Sequence, residues 1–167
     1  MLLESDRVLL NQYRDQPKHL IDAITGLTTE QLDLCRAPGK WSIRQLAHHI
    51  VDCELNYFQK HRVAFSNTGH RFIFDDGFNP DIWADAMKYS ERPIHIELKL
   101  FELIREYIVY LYETLSVPLD RVVTIGNEQV IIRDELSWDL SHANHHISQI
   151  FETRSVHNLI IPGSAFT

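Results

Sequence analysis

From Leu2 to about Thr25, apolar residues recur mostly three and four positions apart (Leu3, Val8, Leu9, Leu10, Tyr13, Leu20, Ile21, Ile24), which predicts an amphipathic helix. Pro17 interrupts the stripe, so either a kink near Asp15-Gln16 or two helices meeting at Pro17 is expected. Gly26 ends the segment, and Thr28-Thr29-Glu30-Gln31 reads as a short helix start with a polar cap. After the turn Ala37-Pro38-Gly39-Lys40, Ser42 and Gln45 form a capping box. A second long helix should follow to about Phe65, with Ile43, Leu46, Ala47, Ile50, Cys53, Leu55, Tyr57, Phe58 and Phe65 supplying apolar contacts. A third stripe runs from Ile94 to about Leu115, where Pro118 closes it, and a fourth from about Asp134 to Val156 on Leu136, Leu140, Ile147, Ile150 and Phe151. Two β-branched runs, Arg121–Ile125 and Val130–Ile132, flank Gly126-Asn127-Glu128-Gln129 and predict a small hairpin.

Between the second and third helices, from Ser66 to about Arg92, the periodicity fails. Gly69, Gly77, Asn79-Pro80 and Pro93 punctuate the stretch, Phe72, Phe74, Phe78 and Trp83 are interleaved, and Asp81–Met87 could form a short helix. A connection this long with this many aromatics is expected to cover a site. The pattern as a whole predicts an all-α four-helix bundle with a small β-hairpin and a long loop between helices 2 and 3, residues 1–167 forming one domain.

Composition narrows the function. The formal charge is −7, with Asp+Glu at 23 against Lys+Arg at 16, so no broad basic surface is available for nucleic acid or anionic lipid. No apolar run approaches the roughly 20 residues needed to span a bilayer. Leu2-Leu3 gives way at once to Glu4 and Asp6 rather than to a signal core, and a cytoplasmic location is expected. Cys35 and Cys53 make no disulfide framework, which fits a reducing compartment.

The chemistry concentrates in Ser141–Ile150, which carries three of the ten histidines. On a helix, His142 and His146 lie one turn apart on one face, the spacing of a two-ligand metal clamp. Two imidazoles cannot hold a catalytic metal alone, and the best source of a third is the His48-His49 pair. His49 shares its face with Asp52 and Cys53, a plausible wall of a polar pocket. Three neutral imidazoles suit Zn, Ni, Cu or Fe and leave a position open for water or substrate. A ligating imidazole needs its other N–H fixed, and Gln149, three residues after His146, is the first choice among Asp52, Glu54, Glu135, Asp139 and Gln149. His48 and His145 point about 100° away from their neighbours. His19, His61, His70, His95 and His157 have no partner pattern and read as surface or capping residues; Cys53 reads most simply as a small buried residue.

The run Trp41-Ser42-Ile43-Arg44-Gln45-Leu46-Ala47-His48-His49-Ile50-Val51-Asp52, paired with His142-x-x-x-His146-Ile147 and Gln149-Ile150 near the C-terminus, resembles the DinB/YfiT-like family of metal-dependent enzymes over nearly the whole chain. The resemblance implies a four-helix bundle with one divalent metal, Zn or Ni foremost, held by one histidine of the second helix and two of the fourth. In the family's motif the first ligand lies eight positions after the Trp, which selects His49 over His48; the others fall on His142 and His146. It implies transfer of a low-molecular-weight thiol, as co-substrate, to an electrophilic small molecule, and it implies a homodimer. The first alternative is a metal-dependent hydrolase using metal-activated water on an acyl or amide carbon, with Asp52 as general base or as a group behind the ligands. The second is a non-catalytic metal-binding module, in which Cys53 or a carboxylate closes the fourth position.

Overall fold

The computed structural model describes residues 2–73 and 78–160. In chain order they form helices α1 (Glu4–Ile24), α2 (Ile43–Ser66), α3 (Pro80–Ala86), α4 (His95–Thr114) and α5 (Ile132–Val156), with strands β1 (Arg71–Phe72), β2 (Val122–Ile125) and β3 (Glu128–Ile131). The four long helices match the four stripes. The polar-capped turn after Gly26 is a 3-10 turn, Gln31–Asp33, where the Thr28 hydroxyl accepts from the Gln31 N–H at 3.3 Å and Gln31 Oε1 accepts from the Thr28 N–H at 2.9 Å.

Pro17 neither splits nor ends α1, which runs unbroken through it. A proline cannot donate to the carbonyl four residues back, here that of Tyr13. The Arg105 guanidinium, fully buried, donates to that oxygen through Nη1 at 3.4 Å. The expected break is thus averted by a side chain from α4. The capping box at the head of α2 is formed as read, Ser42 accepting from the Gln45 N–H at 3.2 Å and Gln45 accepting from the Ser42 N–H at 2.9 Å. Asn67 closes the same helix in the left-handed conformation, φ 47°.

Helices α4 and α5 each pack against both α1 and α2, so the order around the bundle is α1–α4–α2–α5, with α1 facing α2 and α4 facing α5 across the interior. The apolar interior is in two halves. Leu20, Ala23, Ile43, Leu46, Ile50, Phe101, Ile147 and Ile150 fill one. Leu10, Tyr13, Ala64, Ile108, Tyr112, Leu119, Ile132 and Leu136 fill the other. Between them lies a buried polar belt. Glu54 accepts from Arg105 at 2.9 Å and from the Tyr13 hydroxyl. Lys60 donates to Glu135 and to Asp139, each at 2.8 Å. His61 bridges Asp139 at 3.2 Å and the Tyr112 hydroxyl at 2.8 Å. His61 is fully buried, not the surface residue its lack of sequence partners suggested. Its partners sit more than 50 positions away, where no local spacing reveals them.

The hairpin is present, and its turn is Gly126-Asn127, with Gly126 at φ 60° in the first central position, as a II′ turn requires. A third strand joins it: β1 pairs parallel to β2, Arg71 opposite Thr124 and Phe72 opposite Ile125. Two residues are too few to show a strand period. The expected short helix after Asn79 is α3, whose first turn is capped by the Asn79 side chain on the Asp81 and Ile82 N–H groups. Phe74 and Gly77 lie outside the described residues. Among the described residues, no helix is long and apolar enough to cross a membrane.

Candidate metal centre

The adjacency of α2 and α5 brings the two half-motifs together. His49, from the second turn of α2, meets His142 with ring centroids 5.3 Å apart and His146 at 4.7 Å; His142 and His146 are themselves 4.7 Å apart. The three rings stand at steep angles to one another, 60° to 87°. His142 Nε2 and His146 Nε2 approach to 3.2 Å. Two nitrogens bound at about 2.0–2.1 Å to one tetrahedral ion lie roughly 3.3 Å apart, so the pair fits a shared divalent cation.

The protonation states fit as well. Burial, reinforced by repulsion from His146 and His142, pushes His49 down to about 3. Burial, with repulsion from His146, pushes His142 down to about 4, and burial also lowers His146. All three are therefore neutral near pH 7, with lone pairs available. The Gln149 carboxamide fixes the tautomer of His146: its Oε1 accepts from His146 Nδ1 at 3.1 Å, while its Nε2 donates to His145 Nε2 at 2.8 Å. With the Nδ1 proton held there, the Nε2 of His146 carries its lone pair toward His142.

Two residues near this triangle are placed differently from their simplest reading. Cys53 is buried, but at the centre: its Sγ lies 3.6 Å from His49 Nε2 and 3.7 Å from Nδ1, and one donor atom each of His49, Cys53 and His142 lie within 4.8 Å of one another. Burial pushes its thiol up to about 12, so it is protonated in the metal-free protein. Asp52, by contrast, accepts from the Tyr89 hydroxyl at 2.6 Å, tying α2 to the segment that precedes α4. His48 is buried against that same segment, stacked on Tyr89 at 5.3 Å and 3.0 Å from the Arg92 carbonyl oxygen, while His145 is exposed.

His49 and His142 open onto a cavity of about 570 Å³. His49, Cys53, Tyr57 and Lys60 of α2 form one wall, and Glu135, Trp138 and His142 of α5 the other; Phe78, Pro80 and Ile125 complete it. The long connection thus does cover a site, through Phe78 and Pro80, and the Trp41 indole N–H anchors it by donating to Asp81 at 2.9 Å. Trp41 also packs edge-on to His49 at 4.7 Å, and Trp138 lies flat against His142 at 5.4 Å. Lys60, 4% exposed, sits over the Tyr57 ring at 4.3 Å. In the sequence Tyr57 reads only as an apolar contact and Lys60 carries no reading, although a stripe at 49, 53, 57 and 60 continues the spacing that singled out His49 and Cys53.

Residues 12–150 match the sequence model of a family described as the DinB superfamily. A protein of Oceanobacillus iheyensis named "Putative metal-dependent hydrolase OB0413" is 28% identical over 143 residues, 84% of this chain and 80% of that protein. One of Halalkalibacterium halodurans, "Putative metal-dependent hydrolase BH0277", is 27% identical over 128 residues, 74% and 72% of the respective chains. Among solved structures, YfiT from Bacillus subtilis, described as "a probable metal-dependent hydrolase with an unusual four-helix bundle topology", superposes with a TM-score of 0.82 at 19% identity, covering 96% of this chain and 92% of that one. At that identity the likeness is one of fold.

Proposed function

This chain belongs to the DinB superfamily, and from that premise we propose that it is a metal-dependent enzyme that transfers a low-molecular-weight thiol to an electrophilic small molecule, its metal held by His49, His142 and His146. The names of its relatives support metal-dependent chemistry. The observation that favours thiol transfer is the make-up of the cavity wall. Hydrolysis of an amide or ester needs a positioned group that passes a proton to the leaving group. Glu135 is the one carboxylate among the described lining residues. It lies two turns of α5 from His142, roughly 10 Å along the axis, and is bound to Lys60. Asp52 is engaged by Tyr89. A divalent metal lowers both nucleophiles, bound water to about 7 and a thiol from about 8.5, so what separates the readings is this proton relay, which a thiolate displacing a stable anion such as a halide does not require.

A divalent cation here supplies Lewis acidity, which lowers the pKa of a thiol that reaches it. The remaining work falls to the protein. The three imidazoles stay neutral, Gln149 holds the orientation of His146, and Trp138, Tyr57, Phe78 and Ile125 offer an apolar body of substrate a surface that displaces water. Hydrolysis is the second reading, favoured by the relatives' names.

The test is metal-dependent consumption of several small thiols in the presence of a chlorodinitrobenzene, alongside hydrolysis of a nitrophenyl ester. Thiol loss that disappears in His49→Ala, His142→Ala and His146→Ala, together with about one divalent ion per chain, but persists in His145→Ala, is the expected result. Ester hydrolysis with no thiol loss would reverse the assignment in favour of the second reading.

A further inference from the structure

We propose that Cys53 is a fourth protein donor to the metal, its sulfur taking the coordination position that three imidazoles leave open. This rests on the three-histidine reading above. Tetrahedral bonds of about 2.05 Å to nitrogen and about 2.3 Å to sulfur separate the two donors by roughly 3.6 Å. Cys53 Sγ stands 3.6 Å from His49 Nε2, and the two α5 nitrogens stand 3.2 Å apart. The sulfur also lies 3.7 Å from His49 Nδ1, so it rests beside the ring, and one donor atom each of His49, Cys53 and His142 lie within 4.8 Å of one another, a spacing that rotation of the imidazole about its Cβ–Cγ bond would close onto one ion.

Helical spacing alone does not require this. Residues one turn apart have Cβ atoms about 5–6 Å apart, and a cysteine there is free to turn its sulfur elsewhere. Here Cys53 is 6% exposed and lines the cavity, its sulfur within reach of donors from both α2 and α5 and hydrogen-bonded to the Tyr57 side chain on the next turn. As the sulfur–metal bond forms, the S–H bond breaks and its proton leaves to solvent; no oxidation state changes. A molecule entering the cavity meets a site already closed by a thiolate, so it binds by raising the coordination number to five or by displacing the sulfur. A thiolate also biases the site toward softer ions and away from Mg and Mn.

Cobalt(II) makes the ligand visible, because a cobalt–thiolate bond gives a near-ultraviolet charge-transfer band that imidazoles do not. The full chain, stripped of metal and reloaded with Co(II), is compared as wild type, Cys53→Ser and Cys35→Ser, with bound cobalt counted in each. The expected result is the band in wild type and Cys35→Ser, and its loss in Cys53→Ser while about one cobalt per chain remains. Wild type that binds cobalt without the band overturns the proposal whatever the variants do, and so does a Cys53→Ser spectrum that keeps it; both leave the three-histidine reading standing. Wild type that binds no cobalt removes both.

Discussion

At the scale of single residues, the site is tuned by burial. His49, His142 and His146 are all depressed below the ordinary imidazole value of about 6.5, in each case chiefly through loss of water. The sign of the resulting pH dependence follows. Above pH 6.5 the folded and unfolded chains both carry these rings neutral, and their share of stability is fully present. As pH falls below 6.5 the unfolded chain takes up protons that the folded chain refuses, so stability drops until the folded values, about 4 for His142 and about 3 for His49, are reached. Urea unfolding of metal-free protein should show this loss between pH 6.5 and 4, at up to roughly 1.4 kcal/mol per pH unit for each ring. The more exposed His142 and His146 contribute less than that bound. In His49→Asn the slope should flatten; an unchanged slope would mean that His49 carries a proton in the fold. The pairing of His142 with His146 was legible in the sequence because the two repeat at helical spacing, whereas spacing left His48 and His49 both open and the resemblance alone selected His49. The place of Cys53 was half legible, since spacing puts it on the face of His49 but says nothing of where its sulfur turns.

At the scale of elements, what reads clearly is what local physics decides. The Ser42/Gln45 capping box and the apolar stripes gave helix positions close to those observed. Pro17 shows the opposite case, in which a remote residue overrides a local rule. Arg105 takes the Tyr13 carbonyl that Pro17 leaves without a donor, stacks on the Tyr13 ring at 3.9 Å, contacts Gln16 and pairs with Glu54. No spacing within α1 could announce this. Replacing Arg105 by Met should cost about 3–5 kcal/mol, since it strands a buried Glu54 carboxylate. The double variant Arg105→Met with Glu54→Gln should recover part of that loss. Equal losses in the single and double variants, measured by urea unfolding, would mean that the pair matters less than the volume of the arginine.

At the scale of the whole molecule, the arrangement α1–α4–α2–α5 decides that α2 and α5 are neighbours and so that a site can exist at all. Amphipathic stripes say that helices pack, not which ones touch; the order around the bundle was invisible in the sequence, and so was the polar belt that divides its core. An ion held between two helices stabilises only the folded state. At a free concentration 100 times the dissociation constant it should add about 2.7 kcal/mol, and so raise Tm by roughly 5–10 °C. Calorimetry with and without Zn, followed by a chelator that reverses the shift, checks this; His146→Ala should show little of it.

The placement of the site also sets an order of events in the cell. More than half of the chain separates His49 from His142, and α2 leaves the ribosome long before α5 has been made. During most of synthesis a lone imidazole and a thiol on α2 have no second wall to share an ion with. Loading therefore belongs to the finished protein.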